Sequence, residues 1–155
     1  MRIIEYDPSW KKELVEILEE ADREFFSDKR LKDEIENRPH GKLIESFAVK
    51  EKDNHCLLLI DDNEIIGFIC YRVLYGIGET YKTYVMPRHR RKGLGLILCE
   101  TALGNMRGRG CRIARCEVDI ENSAMLKLKF RQGYYIKECQ EESMDHQWIR
   151  LEKVL

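Results

Sequence analysis

Between a predicted strand and a predicted helix lies the stretch Val85-Met86-Pro87-Arg88-His89-Arg90-Arg91-Lys92-Gly93-Leu94-Gly95. Four cationic side chains and a histidine fall within five consecutive residues of it, and two glycines follow. A glycine lets a ligand approach the backbone closely, and a helix N-terminus carries a partial positive charge. The stretch therefore predicts a site for a polyphosphate anion. The alternative is a solvated basic loop that ends a strand.

The composition indicates one globular domain over residues 1–155. Hydrophobic residues make up 43% of the chain and charged residues 35%. No apolar run approaches the roughly 20 residues that a membrane-spanning helix needs, and the first residues lack the pattern of a signal peptide. We therefore expect a cytoplasmic protein with no membrane partner.

Charge is unevenly distributed along the chain. Residues 1–80 carry 12 Lys or Arg and 19 Asp or Glu, whereas residues 81–155 carry 15 and 9. The asymmetry favours an anionic ligand on the C-terminal half and a cationic one near the N-terminal half, although acid-rich helices alone produce the same split. The net charge of −1 and the lack of an aromatic stacking platform argue against a nucleic-acid partner.

The six cysteines indicate neither a disulfide framework nor a metal site. No C-x-x-C pair occurs, and the closest two, Cys111 and Cys116, fall on one predicted strand with their side chains on opposite faces. Most of the six lie within apolar runs and are expected to be buried as small hydrophobic side chains. We therefore expect no metal and no cysteine nucleophile.

Hydrophobic periodicity predicts an α+β domain with a central mixed sheet. Asp7-Pro8 is expected to begin an amphipathic helix, and Gly108-Arg109-Gly110 to end the helix after the basic loop. The predicted strands cover 1–6, 55–60, 64–74, 79–86, 111–120, 134–138 and 147–154. The predicted helices follow Asp7, cover 28–37 and 43–48, follow Gly93, and run from Asn122 to Gly133.

Three local patterns accompany this order of elements. The first is Arg90-x-x-Gly93-x-Gly95, which differs from G-x-x-x-x-G-K-[ST] and from G-x-G-x-x-G. The second is a helix that opens at Asn122 and ends at Gly133-Tyr134, and the third is the final strand 148–153. Together they resemble the GNAT superfamily of acyl-CoA N-acyltransferases over essentially the whole chain. The resemblance implies the GNAT fold, a mixed and mostly antiparallel sheet flanked by helices, with splayed fourth and fifth strands.

The resemblance also implies how acetyl-CoA would bind. Pantetheine would hydrogen-bond to the exposed edge of the fourth strand as an added strand would. Backbone N–H groups of the basic loop would hold the diphosphate, with two cationic side chains adding charge. Asn122 would meet the thioester, although it is also a plain helix cap. The implied binding residues are Thr83, Tyr84, Val85, Arg90, Arg91, Lys92, Gly93, Leu94, Gly95, Leu96 and Asn122.

Acyl transfer to an amine needs a proton acceptor, because an ammonium group has no lone pair. Glu79 stands eleven residues before Arg90, and several members of the family carry a catalytic glutamate at that offset. The alternative is an exposed acid after a Gly-Ile-Gly turn. Glu117 and Asp119, on the fifth strand, are the reserve candidates, and His89 is expected to be a loop residue.

One position departs from the family's pattern. Many members carry a tyrosine four residues before the Gly-aromatic pair, where it protonates the leaving thiolate, but here that position is Lys129. We expect Lys129 to be a surface lysine and water to protonate the thiolate, since a thiol leaves readily without help. The alternatives are that Lys129 supplies the cation or that efficient turnover is lost.

The sequence therefore predicts transfer of an acetyl group from acetyl-CoA to a primary amine by direct attack in a ternary complex. The alternative is an acyl-CoA-binding sensor or regulatory module of the same fold. The acceptor is expected to contact residues 25–43 and 139–146, which contain no recognisable motif. A small molecule and a protein amine both remain open as acceptors, and the sequence leaves a homodimer open as well.

Overall fold

The computed structural model describes residues 1–25, 40–49, 53–143 and 146–155, with the backbone only at 25, 140–143 and 146. Seven strands form one sheet in the order β1-β2-β3-β4-β5-β7-β6. All neighbouring strands are antiparallel except β4 and β5, which are parallel. The strands are β1 (Arg2–Glu5), β2 (Asn54–Asp61), β3 (Glu64–Leu74), β4 (Ile77–Val85), β5 (Ile113–Asp119), β6 (Tyr135–Ser143) and β7 (His146–Val154). This arrangement confirms the predicted mixed, mostly antiparallel sheet.

Helices cover both faces of the sheet. Those described are α1 (Lys11–Phe25), α2 (His40–Ala48), α3 (Leu94–Gly108) and α4 (Ser123–Arg131). One core forms where α1 and α2 pack on the sheet, and the other where α3 and α4 pack on the opposite face. Asp7 accepts a hydrogen bond from Ser9 N–H at 2.8 Å and begins a single 3₁₀ turn before α1. The helix predicted at 28–37 lies outside the described residues.

The turn before β4 differs from the one predicted. Tyr75 and Gly76, with φ of 51° and 77°, form a two-residue turn between β3 and β4. Such primed turns match the twist of a hairpin and need positive φ at both positions. The strand therefore begins at Ile77 instead of Glu79, and Gly78 lies within it. Similarly, Cys111 lies before β5 rather than in it.

The parallel pairing of β4 with β5 covers only part of either strand. It runs from Ile77 opposite Ile113 to Thr80 opposite Cys116, while β4 continues to Val85 and β5 to Asp119. The register of β4 against β3 shifts by one residue at Tyr81. A bulge of this kind bends a strand and increases its twist. The two strands thus separate after Thr80, which confirms the predicted splay.

Gly67 fixes a close approach between β3 and β4. A Cβ added there would lie 2.8 Å from the carbonyl oxygen of Tyr84, a backbone atom that moves only if β4 moves. We expect Gly67→Ala to lower the free energy of unfolding by about 1–3 kcal/mol, measured by urea denaturation. In the control Gly104→Ala the added Cβ meets open space within α3, and stability should rise by about 0.5–1 kcal/mol. Equal stability of Gly67→Ala and the unchanged protein would contradict this account.

Candidate active site

A cleft of about 190 Å³ occupies the gap between the separated ends of β4 and β5. Side chains from both faces of the sheet line it. The lining residues are Ala21, Asp22, Phe68, Thr80, Tyr81, Lys82, Thr83, Tyr84, Cys116, Glu117, Val118, Asp119, Asn122, Met125 and Lys129. Beyond Thr80, the edge of β4 that faces the cleft has no strand partner in the described structure.

The basic loop leaves a row of backbone donors unpaired at the start of α3. Gly93 is the N-cap, in the left-handed region with φ 76°, and Arg91 also has positive φ, at 64°. The first backbone hydrogen bond runs from Ile97 N–H to the Gly93 carbonyl at 3.1 Å. Within the described part of the chain, the N–H groups of residues 91–96 have no acceptor. Consecutive free N–H groups at a helix N-terminus form a site that suits a diphosphate.

Two cations of the loop are available to an anion. Arg91 and Lys92 are exposed, and no carboxylate among the described residues pairs with either. Arg88 instead forms two hydrogen bonds of 2.6 Å with the Glu64 carboxylate and also contacts His89. His89 therefore lies in the loop beside an arginine that is already paired.

Arg90 is held by the protein itself. Its Nη1 and Nη2 atoms donate to the Glu24 carboxylate at 2.6 and 2.7 Å, and Nε donates to the Val85 carbonyl at 2.7 Å. The guanidinium also lies 5.2 Å from the centre of the Tyr84 ring. The hydrogen bonds from Arg90 lower the pKa of Glu24. The charge of Arg90 is thus balanced by Glu24, and its contacts tie the loop to α1 and β4.

Glu79 lies on the α1/α2 face of the sheet, one residue before the point where β4 and β5 separate. Its carboxylate accepts hydrogen bonds from Arg72 Nη2 at 3.1 Å and Nε at 3.3 Å. Glu79 does not line the cleft, whereas Glu117 and Asp119 do. Glu117 pairs with Arg150 at 2.9 Å, and Asp119 accepts a hydrogen bond from the N–H of residue 121 at 2.9 Å.

Asn122 and Lys129 reach the cleft from α4. The Asn122 side chain caps the helix by accepting from Met125 N–H at 3.2 Å, and it lines the cleft as well. Lys129 is only 2% exposed, so its prediction as a surface lysine was wrong. Lys129 lies on the same face of α4 as the partly buried Met125 and Leu126, and Phe130 is exposed. The aliphatic stem of a lysine packs as a hydrophobic side chain would. A prediction based on polarity alone therefore placed Lys129 on the surface.

The sequence model of the acetyltransferase (GNAT) family matches residues 11–134. The chain belongs to that family. It is accordingly an acyltransferase. No curated protein matches the sequence of this acetyltransferase significantly.

Solved structures similar to this acetyltransferase share its fold at low sequence identity. The PaiA N-acetyltransferase from Thermoplasma acidophilum, in complex with coenzyme A, is 20% identical with a TM-score of 0.82 and full coverage of both chains. The ribosomal-protein-alanine N-acetyltransferase from Brucella melitensis is 17% identical with a TM-score of 0.76, again over both full chains. An aminoglycoside 6'-acetyltransferase type Ii is 20% identical with a TM-score of 0.74, over 99% of this chain and 97% of that one.

The α1/α2 side of the cleft in this acetyltransferase contains a charge cluster that sequence analysis missed. Asp22 is buried, with Oδ1 3.1 Å from Lys82 Nζ and Oδ2 3.1 Å from His40 Nε2. Burial raises the pKa of Asp22, but the contacts with His40 and Lys82 outweigh it, so the pKa lies below its usual value. The three residues are far apart in sequence, and only the polar interruption of the apolar face of α1 at Asp22 hints at them.

We expect Asp22→Asn to destabilise the protein by about 1.5–3 kcal/mol near neutral pH, because it removes the charge that pairs with Lys82. The folded pKa is depressed, so the stabilisation is fully present above the unfolded value of about 3.9 and is lost as pH falls through the folded pKa. Urea unfolding over a pH series should show the deficit shrinking in acid. Asp62→Asn, at an exposed turn, is the control. A deficit independent of pH would contradict the expectation.

Among the described residues, no helix is long and apolar enough to cross a bilayer, and no group of three His, Cys, Asp or Glu side chains could hold a metal ion. Most of the segments expected to contact the acceptor, 26–39 and the side chains of 140–146, lie outside the described residues. Of the cysteines, only Cys139 is exposed, and none is in a disulfide. Burial raises the pKa of Cys116 to about 11, which keeps it a neutral thiol.

Proposed function

We propose that this protein transfers an acetyl group from acetyl-CoA to a primary amine by direct attack in a ternary complex. One observation carries the proposal: in the described structure, a row of N–H groups without an acceptor is followed by a strand edge without a strand partner and by a cleft lined from both faces of the sheet. Such a cleft admits a thioester from one face and an amine from the other. Holding two reactants in this way contributes a large part of the rate of a bimolecular reaction.

The residues present fit coenzyme A. The N–H groups of 91–96 and the cations Arg91 and Lys92 would hold the diphosphate, and the β4 edge from Thr83 to Val85 would hydrogen-bond to the pantetheine amides. Arg90 supports this site by fixing the loop to Glu24 and Val85. Asn122 would lie at the thioester end. When bound, acetyl-CoA supplies the activated acyl group.

Glu79 is the base in this proposal. It lies on the α1/α2 side, directly before the splay, so a proton lost by an amine in the cleft would reach it through a water molecule. The ion pair with Arg72 holds the carboxylate in one orientation. Glu117 and Asp119 line the cleft and are the alternatives if the proton is taken directly.

The acceptor is an amine of a class still to be determined. The similar structures include an enzyme named for ribosomal-protein alanine and one named for aminoglycosides. On the α1/α2 side of the cleft, Asp22 is paired with Lys82 and Glu117 with Arg150. The charge split of the sequence supports a cationic acceptor.

Release of free CoA from acetyl-CoA, measured against a panel of amines, tests the proposal. The panel should include polyamines, aminoglycosides, amino acids and peptides with free N-termini or lysines. We expect CoA release with at least one class and formation of the matching acetylamide by mass spectrometry. Tight CoA binding without turnover on any amine would instead favour the sensor module.

A further inference from the structure

Lys129 is a buried cation that has no counter-anion among the described residues. Its Nζ atom lies 3.5 Å from Thr80 Oγ1 and 3.7 Å from Cys99 Sγ, and 4.9 Å from the centre of the Tyr134 ring. No carboxylate of the described chain forms an ion pair with it. A buried charge normally has a partner, because burial without one is costly.

Neither neighbouring thiol supplies that partner. Burial raises the pKa of Cys99 above its ordinary value and that of Cys116 to about 11, so both stay neutral near pH 7. The hydroxyl of Thr80 and the face of the Tyr134 ring are polar but uncharged. The groups around Lys129 therefore stabilise its charge through dipoles alone. An anion that enters the cleft would form an ion pair with it.

One atom of a thioester bound in the cleft would lie near Lys129 and become negatively charged during the reaction. Lys129 lines the cleft on the α3/α4 side of the sheet, the side on which the basic loop begins α3. A CoA thioester held at the loop would reach the cleft from that side. Its sulfur would then lie nearer to the loop than its acyl group does. The amine enters from the opposite face. The atom next to Lys129 is then the sulfur, which gains a negative charge when the acyl group leaves.

Resting on the proposed function, we propose that Lys129 is a catalytic residue that stabilises the departing sulfur as a thiolate. The amine nitrogen forms a bond to the carbonyl carbon, the C–S bond breaks, and its electron pair goes to the sulfur beside the Lys129 ammonium. The amine loses one proton to the base, and water later protonates the thiolate. A preorganised charge aimed at a developing anion contributes about 10²–10³-fold to the rate.

The test measures ionisation of the bound thiol rather than turnover. CoA is bound to the unchanged protein and to Lys129→Met, and thiolate absorbance in the ultraviolet is followed with pH. We expect half-ionisation in the unchanged protein at least one pH unit below the ordinary thiol value of about 8.5, and no such depression in Lys129→Met. Calorimetry should show that Lys129→Met weakens CoA about tenfold near pH 9.5, where free CoA is a thiolate, and only slightly near pH 6.5, while the affinity for desulfo-CoA, which lacks the thiol, changes less than about twofold at both.

Two further variants serve as controls for Lys129→Met. Lys127→Met removes an exposed lysine from the same helix and should leave ionisation and affinity unchanged. Lys129→Arg retains the cation. It should preserve the lowered ionisation pH and keep turnover with an accepted amine within about tenfold, because the charge beside the sulfur remains. This variant also keeps the test informative if Lys129→Met fails to fold.

Several results would overturn the assignment. Equal ionisation in the unchanged protein and Lys129→Met would show that the cation does not act on the sulfur. Equal weakening of CoA and desulfo-CoA would make Lys129 a structural residue, and acetylation of Lys129 detected by mass spectrometry would make it an acceptor. Failure of desulfo-CoA to bind the unchanged protein at all would instead overturn the proposed function, and the Lys129 proposal with it.

Discussion

Glu79→Gln is expected to lower the rate of acetyl transfer by about 10²–10⁴-fold, the loss typical of a general base, while CoA affinity stays the same. Glutamine keeps the size of the side chain and can still accept a hydrogen bond from Arg72, but it cannot take the proton. The deficit should shrink as pH rises, because a larger fraction of the amine is then already neutral. Initial rates over a pH series, with an amine from the acceptor panel, measure both effects.

Three further variants make this experiment decisive. Glu19→Gln removes a carboxylate that forms an exposed ion pair with Arg23 on α1, and it should leave the rate unchanged. Glu117→Gln and Asp119→Asn test the two acids that line the cleft. If Glu79→Gln has the pH–rate profile of the unchanged protein, and one of these two loses the rate, the base is that cleft residue.

The loop and the sheet could be predicted because their signals are local. Gly93 stands where the backbone needs positive φ, and the end of β4, the basic loop and the first turn of α3 follow one another in sequence. The apolar run that follows the turn at 61–63 likewise located β3 with its observed bounds, Glu64–Leu74. The splay was expected from the family resemblance, and its physical cause, the bulge at Tyr81, is a register shift that no residue type marks.

The ion pairs that organise the site could not be predicted, because they join distant parts of the chain. Arg90 meets Glu24 across 66 positions and Lys82 meets Asp22 across 60. A run of cations therefore looked uniform in the sequence, whereas the structure pairs Arg88 and Arg90 with acids and leaves Arg91 and Lys92 exposed. Which cations reach an anion depends on these tertiary contacts.

Lys129 shows a different limit of sequence reasoning. Its spacing from Met125 and Leu126 is that of a buried helical face, so the periodicity contained the right signal. Its charge argued against burial, since lysine is almost never fully buried unless it is paired. Where spacing and polarity disagreed at this position, spacing located the side chain correctly.

Gly93→Val is expected to reduce CoA affinity by about 10–100-fold. A branched side chain at φ 76° is strained, and the backbone escapes that strain only by changing the direction of the free N–H groups around it. Each charge-assisted hydrogen bond to a phosphate contributes about 1.5–3 kcal/mol, and 1.4 kcal/mol corresponds to a factor of ten. Loss of one such bond therefore accounts for the expected change, which calorimetric titration with CoA measures.

The control for Gly93→Val is a glycine within α3. Gly104→Ala adds a Cβ in open space, away from the loop, so CoA affinity should be unchanged. Thermal unfolding of both variants separates a local change in the loop from loss of the folded state. A folded Gly93→Val protein that binds CoA as tightly as the unchanged protein would place the diphosphate elsewhere, because the N–H groups of 91–96 depend on the conformation of this residue.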